Sequence, residues 1–217
     1  ATAEFAFTLL WSAARRIGEA YNYVLDGKWQ TWGLTLFLGQ EVFGATLGIV
    51  GRGRIGRAVA KRARGFDMKV LYHSHSRRPD IEAELGVEYR DFESLLRESD
   101  FVSLHVNLTG ETRGMMNADA FVQMKETAVL INTARGPVVD SDALYDALRE
   151  GQIAYAALDV TDPEPLPAGH KLLTLPNCLV APHIASATVA SRTLMAQMAV
   201  RNCIAGVKGE PLPFAVD

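Results

Sequence analysis

Cysteine is scarce: Cys178 and Cys203 are the only two among 217 residues, too few and too isolated for a disulfide scaffold or a zinc site. Both are expected as buried free thiols. A surplus of positive charge is also lacking. Lys plus Arg number 22 against 25 Asp plus Glu, so the surface cannot neutralise a phosphodiester backbone, and nucleic acid is excluded as a partner. No apolar run approaches the roughly 20 residues of a membrane-spanning helix. The opening Ala1–Leu10 has no basic stretch of the kind that starts a secretory signal. A membrane is therefore excluded as well, and a soluble cytoplasmic protein is expected. There is no repeat, low-complexity segment or charge block. Apolar residues are plentiful, at 48%, which is ample for a packed core.

Phe5, Leu9, Ala13, Ile17 and Tyr21 recur every four residues, which predicts one amphipathic opening helix ending near Gly27. From Asp26 to Phe43, Gly27, Gly33 and Gly39 are interleaved with Trp29, Trp32 and Phe37. This suits an irregular arm that packs aromatics against another surface, and a second copy of the chain (a homodimer) is the expected partner. From Thr46 onward, short apolar runs (TLGIV, MKVLY, FVSLHV, AVLINT, AAL, CLVAPH) alternate with helically spaced segments. That alternation predicts an α/β fold, a doubly wound parallel sheet covered on both faces. Thr188 to about Val207 reads as a final helix with Leu194, Met195 and Met198 on an apolar face, before Pro211 and Pro213 end regular structure.

Gly51-Arg52-Gly53-Arg54-Ile55-Gly56 follows the run Leu47–Val50 and precedes a helical stretch, the context a dinucleotide-binding loop requires. Gly51 permits the tight turn, Gly53 lets backbone approach a pyrophosphate, and Gly56 allows helix to pack on strand. Arg54 and Ile55 open the helix whose N-terminus would face the phosphates. An NAD enzyme places an acid at the end of the second strand, about 20 residues on. Here that stretch reads Leu71-Tyr72-His73-Ser74-His75-Ser76-Arg77-Arg78, with no carboxylate before Asp80. An acid would repel a 2′-phosphate, whereas hydroxyls and guanidinium donors bind one. Ser74, Ser76 and Arg77 therefore favour NADP, with NAD as the alternative.

Three further blocks carry a resemblance: Ile131-Asn132-Thr133-Ala134-Arg135-Gly136; Ala157-Leu158-Asp159-Val160 leading to Pro163-Glu164-Pro165; and Ala181-Pro182-His183-Ile184-Ala185-Ser186. In order and spacing they resemble the signature blocks of the D-2-hydroxyacid dehydrogenases, and the likeness runs over essentially the whole chain. Leu172–Cys178 and the loop after the second strand most resemble the glyoxylate/hydroxypyruvate reductases. The resemblance implies a Rossmann-type domain over residues 1–189 and a C-terminal segment of a substrate-binding lobe over 190–217. It also implies hydride transfer between NADPH and a small 2-keto acid. In such a site Arg135 would grip the substrate carboxylate, His183 would protonate the carbonyl oxygen, and Glu164 would favour the charged imidazole. Thr133, Ala134, Asp159 and Ala185 would border the cofactor.

The chain begins at the family's opening helix, without the smaller lobe that precedes it, so a fragment with weak turnover is expected. Asn107 stands where many members have proline, and Ala185 replaces the glycine of the usual His-Ile-Gly. His105 reads as a core histidine and His170 as a loop residue. Two other functions fit the same blocks. One is an NAD-dependent dehydrogenase of the phosphoglycerate or D-lactate type, which the absence of an acid at 73 or 74 disfavours. The other is a non-catalytic dinucleotide-sensing module.

Overall fold

The computed structural model describes residues 1–215; Val216 and Asp217, which close the expected C-terminal segment, lie outside the described residues. Seven parallel strands form one sheet in the order β3-β2-β1-β4-β5-β6-β7. They are β1 (Thr46–Val50), β2 (Lys69–His73), β3 (Glu88–Tyr89), β4 (Phe101–Leu104), β5 (Val129–Asn132), β6 (Tyr155–Leu158) and β7 (Cys178–Val180). Crossover helices α3 (Arg54–Ala63), α4 (Pro79–Leu85), α5 (Phe92–Glu98), α6 (Ala118–Gln123) and α7 (Ser141–Arg149) join them. This is the expected Rossmann-type sheet.

Period-two alternation assigns the strand residues to two cores. Leu47, Ile49, Phe101, Val129 and Ile131 face one cluster, which they share with Phe7, Leu10 and Val59. Val50, Val102, Leu104 and Leu130 face the other, with Leu96, Phe121 and Leu144. Both faces being covered, β4, β5 and β6 are buried along their whole length, which is why they read as unbroken apolar runs. The winding reverses between β1 and β4, so a crevice opens at their carboxyl ends, where ligands bind in sheets of this type.

The opening differs from the single helix expected. Two helices form, α1 (Thr2–Ala14) and α2 (Ile17–Leu25), broken where Arg16 adopts a left-handed φ of 52°. The cause lies in the arm. The carbonyl of Ala14 accepts from the amide of Gln40 at 2.8 Å instead of continuing the helix, and a side chain at Gly39 would collide with that carbonyl. Arg16 then pairs with Glu19 through both Nε and Nη2 (2.6 and 3.0 Å) and lies over the Phe37 ring. The buried stripe ends with the break: Leu9 and Ala13 are buried, whereas Ile17 and Tyr21 are exposed. Trp29 and Trp32 in the arm are also exposed.

The last helix, α8 (Val189–Lys208), is present as expected, but Ala205 is its only buried residue. The expectation of two buried thiols holds only in part. Cys178 is half-buried and burial pushes its thiol up to about 12, but Cys203 is exposed on α8. Among the described residues no helix is long and apolar enough to cross a membrane.

Candidate active site

The glycine loop sits at the switch point. Gly51 leaves β1 at a φ of 98°, and a Cβ there would come within 2.5 Å of the His105 carbonyl. A Cβ on Gly56 would strike the carbonyl of Gly51, so the third glycine is what lets α3 start directly under the strand. Gly53 faces open space and caps α3 without a side chain. By contrast, Asp91, Asn117, Asp140 and Thr188 each accept from the first-turn amides of their own helices. The first amides of α3 are therefore open to an anion. Arg54 and Ile55 are exposed in that same turn.

A cleft of about 410 Å³ adjoins this loop, lined by Ile55, His105, Asn107, Thr133, Ala134 and Arg135. Thr133 Oγ1 and His105 Nδ1 in its wall are buried with no partner among the described residues. Buried polar atoms are seldom left unpaired, and a polar ligand in the cleft would satisfy them. His105 also bonds Ser103 Oγ through Nε2 (2.8 Å), and desolvation drives its pKa down to about 4, so the ring is neutral at pH 7. The glycine cradle, the uncapped helix and the orphaned Thr133 hydroxyl fit a dinucleotide phosphate and its nicotinamide end.

At the end of β2 the residues expected to read the ribose divide. Ser74 Oγ and Ser76 Oγ accept from Arg52, at 2.8 Å from Nε and 2.9 Å from Nη2. Arg77 turns the other way and is bound through Nε and Nη2 to both oxygens of Glu82, each at 2.9 Å. Arg78 is bound likewise to Asp80. His73 is turned onto the Arg90 carbonyl and stacks with Tyr89.

The three residues expected to do chemistry all lie just beyond strands at the carboxyl edge of the sheet, Arg135 in the cleft beside the glycine loop and Glu164 and His183 in another. Arg135 follows β5, Glu164 lies in the loop after β6, and His183 follows β7. His183 Nδ1 is 2.5 Å from Glu164 Oε1. The Glu164 carboxyl is held below its ordinary range, first by its bond to His183, with the Thr161 amide and the positive charge of Arg135 adding to the effect. All three side chains are open to the crevice side, and a second cleft of about 410 Å³ lies against Glu164, Pro182 and His183.

Several positioning groups were not legible in the sequence. Asn132 ends β5 and is buried; its Oδ1 accepts from the Ala134 amide and its Nδ2 donates to the Arg135 carbonyl, both at 3.0 Å, which shapes the turn that presents Arg135. Gly136 must lack a side chain, because a Cβ would collide with the Thr161 carbonyl. Asp159, expected beside the nicotinamide, is buried, and each of its oxygens accepts a backbone amide at 2.8 Å, from Ile184 and from Ala185. It therefore clamps the loop that carries His183, whose own φ of 55° needs such restraint. Ala185 is buried in that clamp. A buried polar residue ending an apolar strand is the signal that marks both Asn132 and Asp159.

Comparison with known proteins agrees with this geometry. Residues 7–185 match the family described as D-isomer specific 2-hydroxyacid dehydrogenase, NAD binding domain. The chain is 55% identical over 217 residues to the glyoxylate reductase of Korarchaeum cryptofilum (strain OPF8), covering 100% of this chain and 65% of that protein. It is 52% identical over 221 residues to the glyoxylate reductase of Thermococcus kodakarensis, covering 100% and 66%. Among solved structures, the TT0316 protein from Thermus thermophilus superposes with a TM-score of 0.94 at 47% identity, over 100% of this chain and 68% of that one. The chain thus spans about two thirds of the length of these relatives, and it belongs to the D-isomer specific 2-hydroxyacid dehydrogenase family, of which it carries the NAD binding domain.

Proposed function

We propose that the chain is the coenzyme-binding part of an oxidoreductase that reduces a small 2-keto acid, glyoxylate or hydroxypyruvate, to the D-2-hydroxy acid with NADPH. The observation that carries this reading is the 2.5 Å contact between His183 Nδ1 and Glu164, in a site that also holds Arg135 beside the glycine cradle. Residues 1–189 act as the dinucleotide-binding unit. Residues 190–217 act as a segment of the substrate lobe, in keeping with an α8 that buries almost nothing on this unit.

The substrate carboxylate is an anion that needs a fixed cation, and Arg135 offers a planar fork of donors for it. Charge that develops on the carbonyl oxygen is stabilised by the same guanidinium. Nicotinamide, when bound, supplies the hydride to the carbonyl carbon. His183 gives the proton from Nε2 to the oxygen, because Nδ1 is engaged by Glu164; the carboxylate supports the imidazolium before transfer and fixes the ring's orientation throughout. Thr133, Ala134 and Ala185 border the reduced ring, and Asp159 serves by holding the His183 loop. The exposed arm around Trp29 and Trp32 is read as the face that meets a second copy, and the two unpaired cysteines suit a reducing compartment, the cytoplasm.

One observation favours the NAD-dependent alternative of the phosphoglycerate or D-lactate type: Arg77, expected to hold a 2′-phosphate, is neutralised by Glu82. Titration with NADPH and with NADH, followed by nicotinamide fluorescence, separates the two. Assays of glyoxylate and hydroxypyruvate turnover with the substrate lobe attached test the reaction. Binding of both nucleotides without turnover of either acid would support a sensing module instead.

A further inference from the structure

The clusters outside the catalytic trio include one at the open ends of β1 and β2 in which Ser74 and Ser76, expected from the sequence, are joined by Arg52, which was not. These strands are in register, with Val50 opposite His73, and the Gly51 amide donates to the His73 carbonyl at 2.9 Å. Arg52 is thereby brought over the loop 74–76. Its Nε donates to Ser74 Oγ at 2.8 Å and to the Ser76 carbonyl at 3.1 Å, and its Nη2 donates to Ser76 Oγ at 2.9 Å. The end of the second strand is where a fold of this type holds the adenosine ribose.

We propose that Arg52, held ready by Ser74 and Ser76, is the residue that selects the 2′-phosphorylated dinucleotide, and that Arg77 is not. This rests on the dinucleotide reading given above. Charge distinguishes the two residues. Arg77 and Arg78 each carry two bonds to a carboxylate, so each is part of a neutral pair, and withdrawing Arg77 would leave a Glu82 side chain that is 16% exposed without its cation, held by the Tyr72 hydroxyl alone among the described residues. The partners of Arg52 are hydroxyls and a carbonyl, which orient the guanidinium without cancelling its charge. Its Nη1 carries two uncommitted donors, and the Ser76 hydroxyl can add a third. A dianionic phosphate with three acceptor oxygens matches that set, whereas an unmodified ribose hydroxyl uses only a fraction of it. The same half-buried guanidinium gains little from NADH, so selection follows from the phosphate alone.

The test measures dissociation constants of the chain for NADPH and NADH by nicotinamide fluorescence, with 2′,5′-ADP and 5′-ADP as competing probes. Arg52→Met is expected to weaken NADPH and 2′,5′-ADP at least tenfold and to change NADH and 5′-ADP less than threefold. Arg77→Met is expected to change NADPH less than threefold. Should Arg52→Met fail to fold by circular dichroism, Arg52→Lys, which keeps the charge but not the fork, and Ser76→Ala carry the test; each is expected to weaken 2′,5′-ADP at least threefold and 5′-ADP less. Unchanged NADPH affinity in the Arg52 variants, or a tenfold loss in Arg77→Met, overturns the proposal. A parent chain that binds NADPH and NADH equally also overturns it, together with the NADP preference but not dinucleotide binding; a parent chain that binds neither removes the dinucleotide reading itself.

Discussion

Glu164 Oε1 and His183 Nδ1 lie 2.5 Å apart although 19 residues separate them, and the carboxyl titrates below its ordinary range chiefly because of that bond. A carboxyl depressed in this way contributes its pairing at any pH above the ordinary carboxylate value of 4.5, and loses it only as pH falls through the lower folded value. Glu164→Gln keeps the shape but removes the charge that supports the imidazolium. With the substrate lobe attached, keto-acid reduction should fall roughly tenfold to a hundredfold, a modest part of what a general acid supplies. NADPH affinity should change little. Reduction at the parent's rate by the Glu164→Gln variant would show that the carboxylate charge is not needed.

Arg135→Met should cost roughly a hundredfold to a thousandfold in kcat/KM for glyoxylate, the scale of removing a donor from a developing oxyanion. Arg135→Lys keeps the charge but loses the fork, and should recover only part of that. Steady-state kinetics at fixed NADPH decide the matter. A rise in KM with kcat intact would reduce Arg135 to ground-state binding.

Asp159→Ala removes the acceptor of two amides inside a buried loop. Hydrogen bonds to charged groups are worth roughly 1.5–3 kcal/mol each, so a loss of about 3 kcal/mol is expected. In a domain of this size that corresponds to a drop in Tm of roughly 6–12 °C. Asp159→Asn, which retains one acceptor, should fall between. Denaturant unfolding monitored by tryptophan fluorescence checks both, and an unchanged midpoint for Asp159→Ala would show that the carboxylate does not clamp the loop.

His105 gives a pH dependence of the same sign from a different cause, burial without a charged partner. Burial lowers its pKa from 6.5 to about 4, so the folded protein resists a proton that the unfolded chain accepts. Its neutral form costs nothing above pH 6.5; stability then declines as pH falls from 6.5 to about 4, by as much as ~3 kcal/mol. His105→Gln should flatten that part of the stability–pH curve relative to the parent. Parallel curves would show that the ring does not stay neutral on acidification.

The glycine loop and the alternating runs were legible because each is a local pattern with a single geometric use, whereas Arg135, Glu164 and His183 were singled out only by the family resemblance of the blocks that carry them. The doubly wound parallel sheet followed from the same alternation. The break at Arg16 was not, because the apolar spacing runs straight through it and the cause, Gln40 capturing the Ala14 carbonyl, lies 26 residues away. The engagement of Arg77 by Glu82 was hidden for a related reason: guanidinium groups near a ribose site attract attention, but the carboxylate five residues on decides whether they are free. Arg52 has no role assigned by the glycine-loop motif itself. Its meaning depends on strand pairing, which sets Val50 opposite His73 and so brings position 52 to serines more than twenty residues downstream.

Helix α8 is twenty residues long, capped by Thr188 at one end and Gly209 at the other, and only Ala205 is buried. In proteins most of a helix's stability comes from tertiary packing of one face, and on this unit α8 has almost none. Local opening of α8 ahead of global unfolding of the sheet is therefore expected. Amide hydrogens of β4 and β5 should exchange with solvent only on global unfolding, and those between Ser191 and Ala205 orders of magnitude sooner. Slowed exchange in α8 would then report directly whatever comes to rest on Leu194, Val200 and Ile204, even when the sheet registers no change.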